Sequence, residues 1–520
     1  MGTSGDASTF PLRDGGLREQ DAGPGRLRRL TSELDRIRAE PLAGAAALLF
    51  IPVASLILVL MAANRPSLLA PATHTNFYPG WMAGPLGGLL PWLTGNGTAL
   101  RLIFTAAIVL MYVAYVLTLT QARRLPARWV VATILVVHAI FLLAPPMALT
   151  DVFNYINYGR MEVVHSLNPY TTIPISEPHG DPSYALSNWH QLLSPYGPLF
   201  TLITFAVVPL GVAGSFWALK CILAAASLGT IYLVWRCAKL LGRDPVLAIA
   251  FVGLNPIVLV WGLGGDHNDF LTMLLIVLGF YLIALRRGAS DSRRADGASA
   301  PEAARRRWRP PPWSVDLGGG AAFATAAGIK ASAGILIPVV IAGLLRTPRR
   351  LGAVVLGMAV AGTVVGLASL VAFGLHIPDL NTQSRLVTNE SVPNLIGLLV
   401  GAGGESEAVR FVMSAVLGCS LVLCCIMAWR RRDSIGASGW ASVALLVTLS
   451  WVLPWYVLWV LPLAALAGSR RLRNVALVLG VYLIVAWAPA STLLWNAIGF
   501  HPEHTALGHL HQRYVKELLN

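Results

Sequence analysis

Asp151 stands where a long apolar run gives way to TDVFNYINYGRM, and Asn154, Tyr155 and Arg160 follow it closely. On a helix, Asp151, Asn154 and Tyr155 share one face at i, i+3 and i+4. A carboxylate at the mouth of a membrane span is partly desolvated and can take a proton as a general base. The plainer alternative is a helix-end acid that marks the interface. Arg160 offers a planar fork for an acid or a phosphate, or else serves as an interfacial anchor. A second group, GGDHNDF at 264–270, sets Asp266, His267 and Asp269 on a turn flanked by glycine. Carboxylates and amides suit sugar hydroxyls. The metal-ligand spacing is loose and no second His–Glu pair supports it, so no metal ligand is assigned. A polar hairpin turn is the alternative here.

Lys330 interrupts the apolar stretch AAGIKASAGILIP. An ionisable residue inside a membrane segment is costly and marks function. Its small neighbours Ala327, Gly328, Ala331 and Gly334 let another group approach, and a phosphate is the natural partner. A snorkelling lysine at a helix end is the alternative. Arg385, in the loop HIPDLNTQSRLVTNESVPN, is a second, weaker cation for the same phosphate.

These residues need a scaffold, and composition says which kind. The chain has 520 residues, 55% hydrophobic and only 12% charged, with mean hydropathy +0.64. Soluble chains carry roughly twice that charged fraction. Apolar runs long enough for a ~30 Å hydrocarbon core recur from Pro41 to Trp495. The fold class is therefore an all-α polytopic membrane protein. The net charge of +14 resides in short arginine clusters between apolar runs, which is an insertion signal and not a nucleic-acid surface. The five cysteines lie in or beside apolar spans, which argues against a disulfide framework and against a zinc site.

Placing RLRRL, QARRLPAR, WRCAKLLGR, RRRWRP, RTPRR, WRRRD and SRRLR in the cytoplasm sets the topology. Residues 41–63 go out, 102–120 return, and 129–149 go out again, so Asp151 emerges on the outer face. The stretch 196–214 would break this parity as a full span and is expected to lie in the interface. Further spans are expected at 216–234, 246–263, 271–285, 351–375, 409–429 and 475–495, with pairs at 317–329 and 331–345 and at 440–452 and 456–466. The total is about thirteen. The expected layout is a cytoplasmic tail at 1–40, a transmembrane domain at 41–495 with a basic cytoplasmic linker at 286–312, and an outer tail at 496–520. The tryptophans, including Trp81, Trp189, Trp455 and Trp495, read mostly as interfacial belt residues.

An acid, a membrane-embedded cation and sugar-compatible groups on one face suggest glycosyl transfer from a lipid phosphate. A transporter or flippase of a lipid-linked sugar is the alternative, but it calls for an internal repeat and a site near the midplane. No repeat is evident.

Five motifs occur in order: TDVFNYINYGRM, LNPY at 167–170, SPYGPLF at 194–200, LNPIVLVWGLGGDHNDF at 254–270 and GIKASAGILIP at 328–338. Together they resemble the GT-C superfamily of multi-span glycosyltransferases, and most closely the actinobacterial α-(1→6)-mannopyranosyltransferases A and B. The resemblance implies a GT-C helical bundle and a polyprenyl-phosphate mannose donor. It implies inversion at the anomeric carbon with Asp151 as base. It also implies a lipid-linked mannan acceptor of the lipomannan or lipoarabinomannan type, in the bilayer of the cell envelope. No cofactor is implied. Some members of the superfamily transfer another sugar, such as arabinose, from the same carrier.

Overall fold

The computed structural model describes residues 41–63, 79–86, 88–89, 96–147, 150–295 and 311–519. The expected tail at 1–40 and linker residues 296–310 lie outside the described residues. Among the described residues every regular element is a helix, as hydrocarbon demands of a non-barrel chain, because helices satisfy their own backbone polar groups.

The helices are, in order, α1 (Pro41–Ala63), α2 (Gly97–Gln121), α3 (Ala127–Leu142), α4 (Asp151–His165), α5 (Pro198–Val207), α6 (Gly211–Leu240), α7 (Pro245–Gly253) and α8 (Asp269–Ala295). After the linker come α9 (Pro312–Ile329), α10 (Leu336–Leu344), α11 (Pro348–Phe373), α12 (Leu380–Ser384), α13 (Val392–Leu399), α14 (Glu407–Arg431) and α15 (Ser434–Thr448). The last four are α16 (Leu461–Leu466), α17 (Arg470–Trp487), α18 (Ser491–Ala497) and α19 (Ala506–Leu519).

Thirteen spans are not met by continuous helices. Among the described residues 5 helices are long and apolar enough to cross a bilayer, or 6 if α17 and α18, bent by 76°, count as one. The other apolar runs are short or broken, and the breaks follow proline and glycine chemistry. The expected span 246–263 stops at Leu254, restarts at Pro256, and becomes a π-helical turn at Val258–Leu263. The Asn255 carboxamide caps the restart by accepting from the backbone of Ile257 and Val258 at 3.0 and 3.2 Å. The expected span 456–466 is a 3-10 turn, Pro454–Trp459, followed by the six residues of α16. The stretch expected in the interface contains α5, whose ten residues rise only about 15 Å. A 3-10 turn, Val208–Leu210, and Gly211 at φ 71° join it to the 30-residue α6, and Pro198–Leu240 together count as one of the 5 long apolar helices, so the stretch is not set apart from a span as expected. The linker is shorter than expected, since α8 continues helical to Ala295.

α9 packs against α8 and α11, and α6 against α8, while α1, α2 and α3 form one corner. α11 and α14 turn large apolar side chains outward, with Val371 and Phe411 among the most exposed, as lipid-facing helices do. The C-terminal segment is ordered as α19. Its Leu518 carbonyl accepts from the Gln191 backbone, and Tyr514 donates to the Thr382 carbonyl at 3.0 Å, so it covers the same end of the bundle as the large loop after α4.

Candidate active site

Pro145 and Pro146 stop α3 by removing two N–H donors and clashing with the preceding turn. The chain after them is tied down at Met147, whose N–H donates to the Gly264 carbonyl at 2.8 Å. That one bond brings two motifs distant in sequence together, and Asp151 opens α4 beside the GGDHNDF turn. The turn itself requires glycine. A Cβ at Gly265 would meet the Trp261 carbonyl at 2.3 Å and the His267 ring at 2.5 Å. Asp266 adopts φ 57°, a left-handed conformation that aspartate tolerates better than most residues.

Lys330 arises from a different break. α9 ends at Ile329, and Lys330 is extended at φ −147°, ψ 120° before the chain re-enters a 3-10 turn. The SPYGPLF motif holds this break. The Gly197 N–H donates to the Ile329 carbonyl at 3.0 Å, and a Cβ on Gly197 would lie 2.3 Å from the Gly328 carbonyl.

Asp151 and Lys330 line one cavity of about 320 Å³, with Tyr155, Tyr158, Asn268 and an aromatic wall that includes Trp451, Trp455, Tyr456 and Trp459. The Asp151 side chain is partly open to it, at 15% exposure, with His267 Nδ1 3.2 Å from Oδ2. This is ion-pair distance without hydrogen-bond alignment, and neither ring nitrogen of His267 has an aligned protein partner. The His267 ring stacks on Trp455 at 3.4 Å between centroids. Asn268 Nδ2 is a buried donor without a protein partner, on a residue of the cavity wall.

Lys330 Nζ donates to both oxygens of Asp269, at 2.8 and 3.0 Å. Trp459 Nε1 donates to the same carboxylate at 2.6 Å. The ammonium also lies 4.9 Å from the centroid of the Tyr456 ring and 5.2 Å from that of Trp459, within cation–π range. Asp269 therefore holds the cation in place and is itself shut away from the cavity wall. Asp266 is likewise not a lining residue. It forms a fully buried pair with Lys220, at 3.0 and 3.2 Å.

Of the helix face expected from α4, Tyr155 reaches the cavity but Asn154 does not. Asn154 is buried and accepts from the Asn188 backbone at 3.1 Å, which holds the loop after α4. Arg160 stands apart from the cavity, in a bidentate pair with Asp181 at 2.8–3.1 Å. Burial alone would raise the Asp181 carboxyl. The Arg160 guanidinium, the Ser183 N–H and hydroxyl, and His165 together hold it well below the usual carboxylate range. Arg385 is exposed, next to lining residues Gln383 and Leu386, and does not line the cavity itself.

Four participants escaped the sequence reading. Lys220 is an isolated charge in the apolar run of α6, the same signal that singled out Lys330. Trp455 is not a belt residue, since it is 2% exposed and stacked on His267, and Tyr456 and Trp459 are buried with it. The cue was LPWYVLW, where a proline-led break is followed by aromatics in an otherwise aliphatic segment. Among the described residues the one metal-compatible cluster, His501, Glu503 and His504, lies near α19 and supplies nothing to the cavity wall.

A sequence profile described as Alpha-(1->6)-mannopyranosyltransferase, N-terminal domain, matches residues 46–346. A second, described as MptB C-terminal domain, matches residues 390–508. An alpha-(1->6)-mannopyranosyltransferase of Mycobacterium tuberculosis is 28% identical, with 67% of each chain covered. Alpha-(1->6)-mannopyranosyltransferase A of the same species is 26% identical, with 69% of each covered. Alpha-(1->6)-mannopyranosyltransferase A of Corynebacterium glutamicum is 24% identical over 66% of this chain and 76% of its own. No solved structure matches.

Proposed function

Because this chain belongs to the alpha-(1->6)-mannopyranosyltransferase family, and is a multi-pass membrane glycosyltransferase that transfers mannose, we propose that it takes mannose from polyprenyl-phosphate mannose. The acceptor is a growing lipid-linked α-(1→6)-mannan of the lipomannan type, and the anomeric carbon inverts. One observation carries the reading: a carboxylate and an ammonium, Asp151 and Lys330, line the same aromatic-walled cavity.

In this reading an acceptor hydroxyl attacks C1 of mannose while Asp151 takes its proton. The bond from C1 to the phosphate oxygen breaks, and the phosphate leaves toward Lys330. A base on one face and the leaving group on the other gives inversion. The charge growing on the phosphate is met by a preorganised cation in a site with little water. His267 orients the Asp151 carboxylate, and Asp269 orients Lys330. Asn268 donates to a sugar hydroxyl, and the aromatic wall receives the sugar ring and the first prenyl units. The Lys220–Asp266 pair and the Arg160–Asp181 pair hold the turn and the loop that frame the cavity, and Arg385 adds positive charge at its rim. Lining residues come from both matched segments, which supports one catalytic unit across 41–495. The arginine distribution supports a cytoplasmic N-terminus and a cavity that opens on the outer face.

The test uses membranes carrying the full chain, polyprenyl-phosphate radiolabelled mannose and the Asp151→Asn variant. Asparagine keeps the shape but takes no proton, so turnover should fall about 10²–10⁴-fold with donor binding retained. Turnover close to wild type would remove Asp151 from the chemistry. The same assay with a labelled arabinosyl donor separates the two sugars. Label that crosses the membrane without forming a glycosidic bond would favour the flippase.

A further inference from the structure

The end of the bundle opposite the Asp151 cavity holds a second, larger one. α8 starts at Asp269 beside Lys330, and fourteen residues later, about 21 Å along the axis, Ile283 lines this other space. α15 makes the same crossing, from Ser434 here to Leu445 at the first cavity. The volume is about 580 Å³, within the range of small-molecule sites. Phe280, Ile283, Val340, Leu344 and Leu466 supply an apolar floor. Arg243, Arg431 and Arg432 supply positive charge, against the single acid Asp433. Asp433 is already engaged, since its carboxylate accepts from the Gly436 backbone at 2.9 Å and caps α15.

Two details mark this as more than a row of interfacial anchors. Arg243 lies directly on Gly468, where a Cβ would come within 2.5 Å of a guanidinium nitrogen. The backbone at Gly468 thus leaves room for the guanidinium at the cavity wall. Arg431 ends α14 and Arg432 caps it at φ 55°, and both line the same cavity as Arg243. Like charges gathered over an apolar floor repel one another unless an anion joins them. An anion with a greasy tail uses both parts of the site, whereas a soluble anion leaves the floor unused.

We propose that this cavity binds the phosphodiester headgroup of an anionic membrane lipid. Arg243 and Arg431 donate to the phosphate oxygens, and the upper acyl chains rest on Phe280, Ile283 and Val340. Guanidinium pairs well with phosphate because its planar fork offers two parallel donors. Basic pockets between transmembrane helices are suited to such headgroups.

The experiment uses the full chain purified in mild detergent and exposed to vesicles of phosphatidylcholine containing phosphatidylglycerol. Retained lipid is counted by native mass spectrometry, and thermal unfolding checks each variant's fold. Wild type should retain phosphatidylglycerol in preference to phosphatidylcholine. Arg243→Gln and Arg431→Gln should each weaken retention roughly fivefold. Gly468→Ala, which keeps every charge but displaces Arg243, should weaken it as well. Arg430→Gln, on the same helix but outside the cavity, should change nothing. Equal retention by wild type and all three cavity variants would overturn the proposal. So would displacement of the bound lipid by inorganic phosphate, which would show that a free anion suffices.

Discussion

Lys330 has two jobs in this reading, and the geometry shows how to separate them. Its ammonium is bonded to an Asp269 carboxylate that is only 1% exposed. Lys330→Ala leaves that buried charge with the Trp459 indole, whose Nε1 donates at 2.6 Å, as its remaining side-chain donor among the described residues. Removing one partner of a buried ion pair typically costs about 3–5 kcal/mol of stability. The single variant therefore mixes loss of fold with loss of donor binding. Lys330→Ala combined with Asp269→Asn removes the orphan charge and leaves the amide to accept from Trp459. What remains is the loss of one charge-assisted hydrogen bond to phosphate, about 1.5–3 kcal/mol, or roughly ten- to hundredfold in donor affinity. The phosphate is held before the reaction and gains charge as it leaves, so the donor KM should rise while kcat also falls. Initial rates at varied donor and fixed acceptor, read beside thermal unfolding, measure both. A double variant of wild-type stability with unchanged donor KM would refute the phosphate role and leave Lys330 as a structural partner of Asp269.

The buried Lys220–Asp266 pair predicts that Lys220→Met alone loses about 3–5 kcal/mol of stability, whereas Lys220→Met with Asp266→Asn recovers most of it. Equal losses in both variants would show that the pair does not hold the turn. Burial pushes the Glu177 carboxyl up to about 8, with Asp181 adding to the shift and Asn157 and Arg160 opposing it. Between an ordinary value near 4.5 and about 8, the unfolded chain binds fewer protons at this position than the folded one, so stability falls as pH rises through that window. Glu177→Gln should flatten the fall in a thermal-unfolding series, and an unchanged slope would exonerate Glu177. The arginine distribution predicts that a cysteine introduced by Ser176→Cys, at an exposed site, is labelled by an impermeant maleimide in intact cells. Labelling only after lysis, judged against the native cysteines, would invert the topology.

Much of the architecture was legible because hydrocarbon imposes simple rules on composition. Apolar runs announced helices, and Lys330 declared itself by being charged where charge is expensive. The pair of helices flanking Lys330 was readable to within a few residues. The number of spans was not, because a run such as 246–263 has the length and hydropathy of a span yet breaks around Pro256. Hydropathy records how apolar a segment is. It does not record whether neighbouring helices will satisfy the backbone groups that a break exposes.

The residue types at the site, their order along the chain and their membrane setting were determined by the sequence alone. Which carboxylate faces the cavity was decided only in three dimensions. Asp151, Asp266 and Asp269 are alike as side chains, and their local sequence does not record which of them is paired in the interior. The ranking comes from distant partners. Lys220, 46 residues from Asp266, neutralises it in the interior. Lys330 and Trp459, 61 and 190 residues from Asp269, engage that carboxylate. Asp151 has His267 at 3.2 Å as its one charged partner among the described residues and keeps an open side toward the cavity. A buried carboxylate must find a cation or a donor. Where those lie depends on how the helices pack, which no stretch of sequence around the acid records.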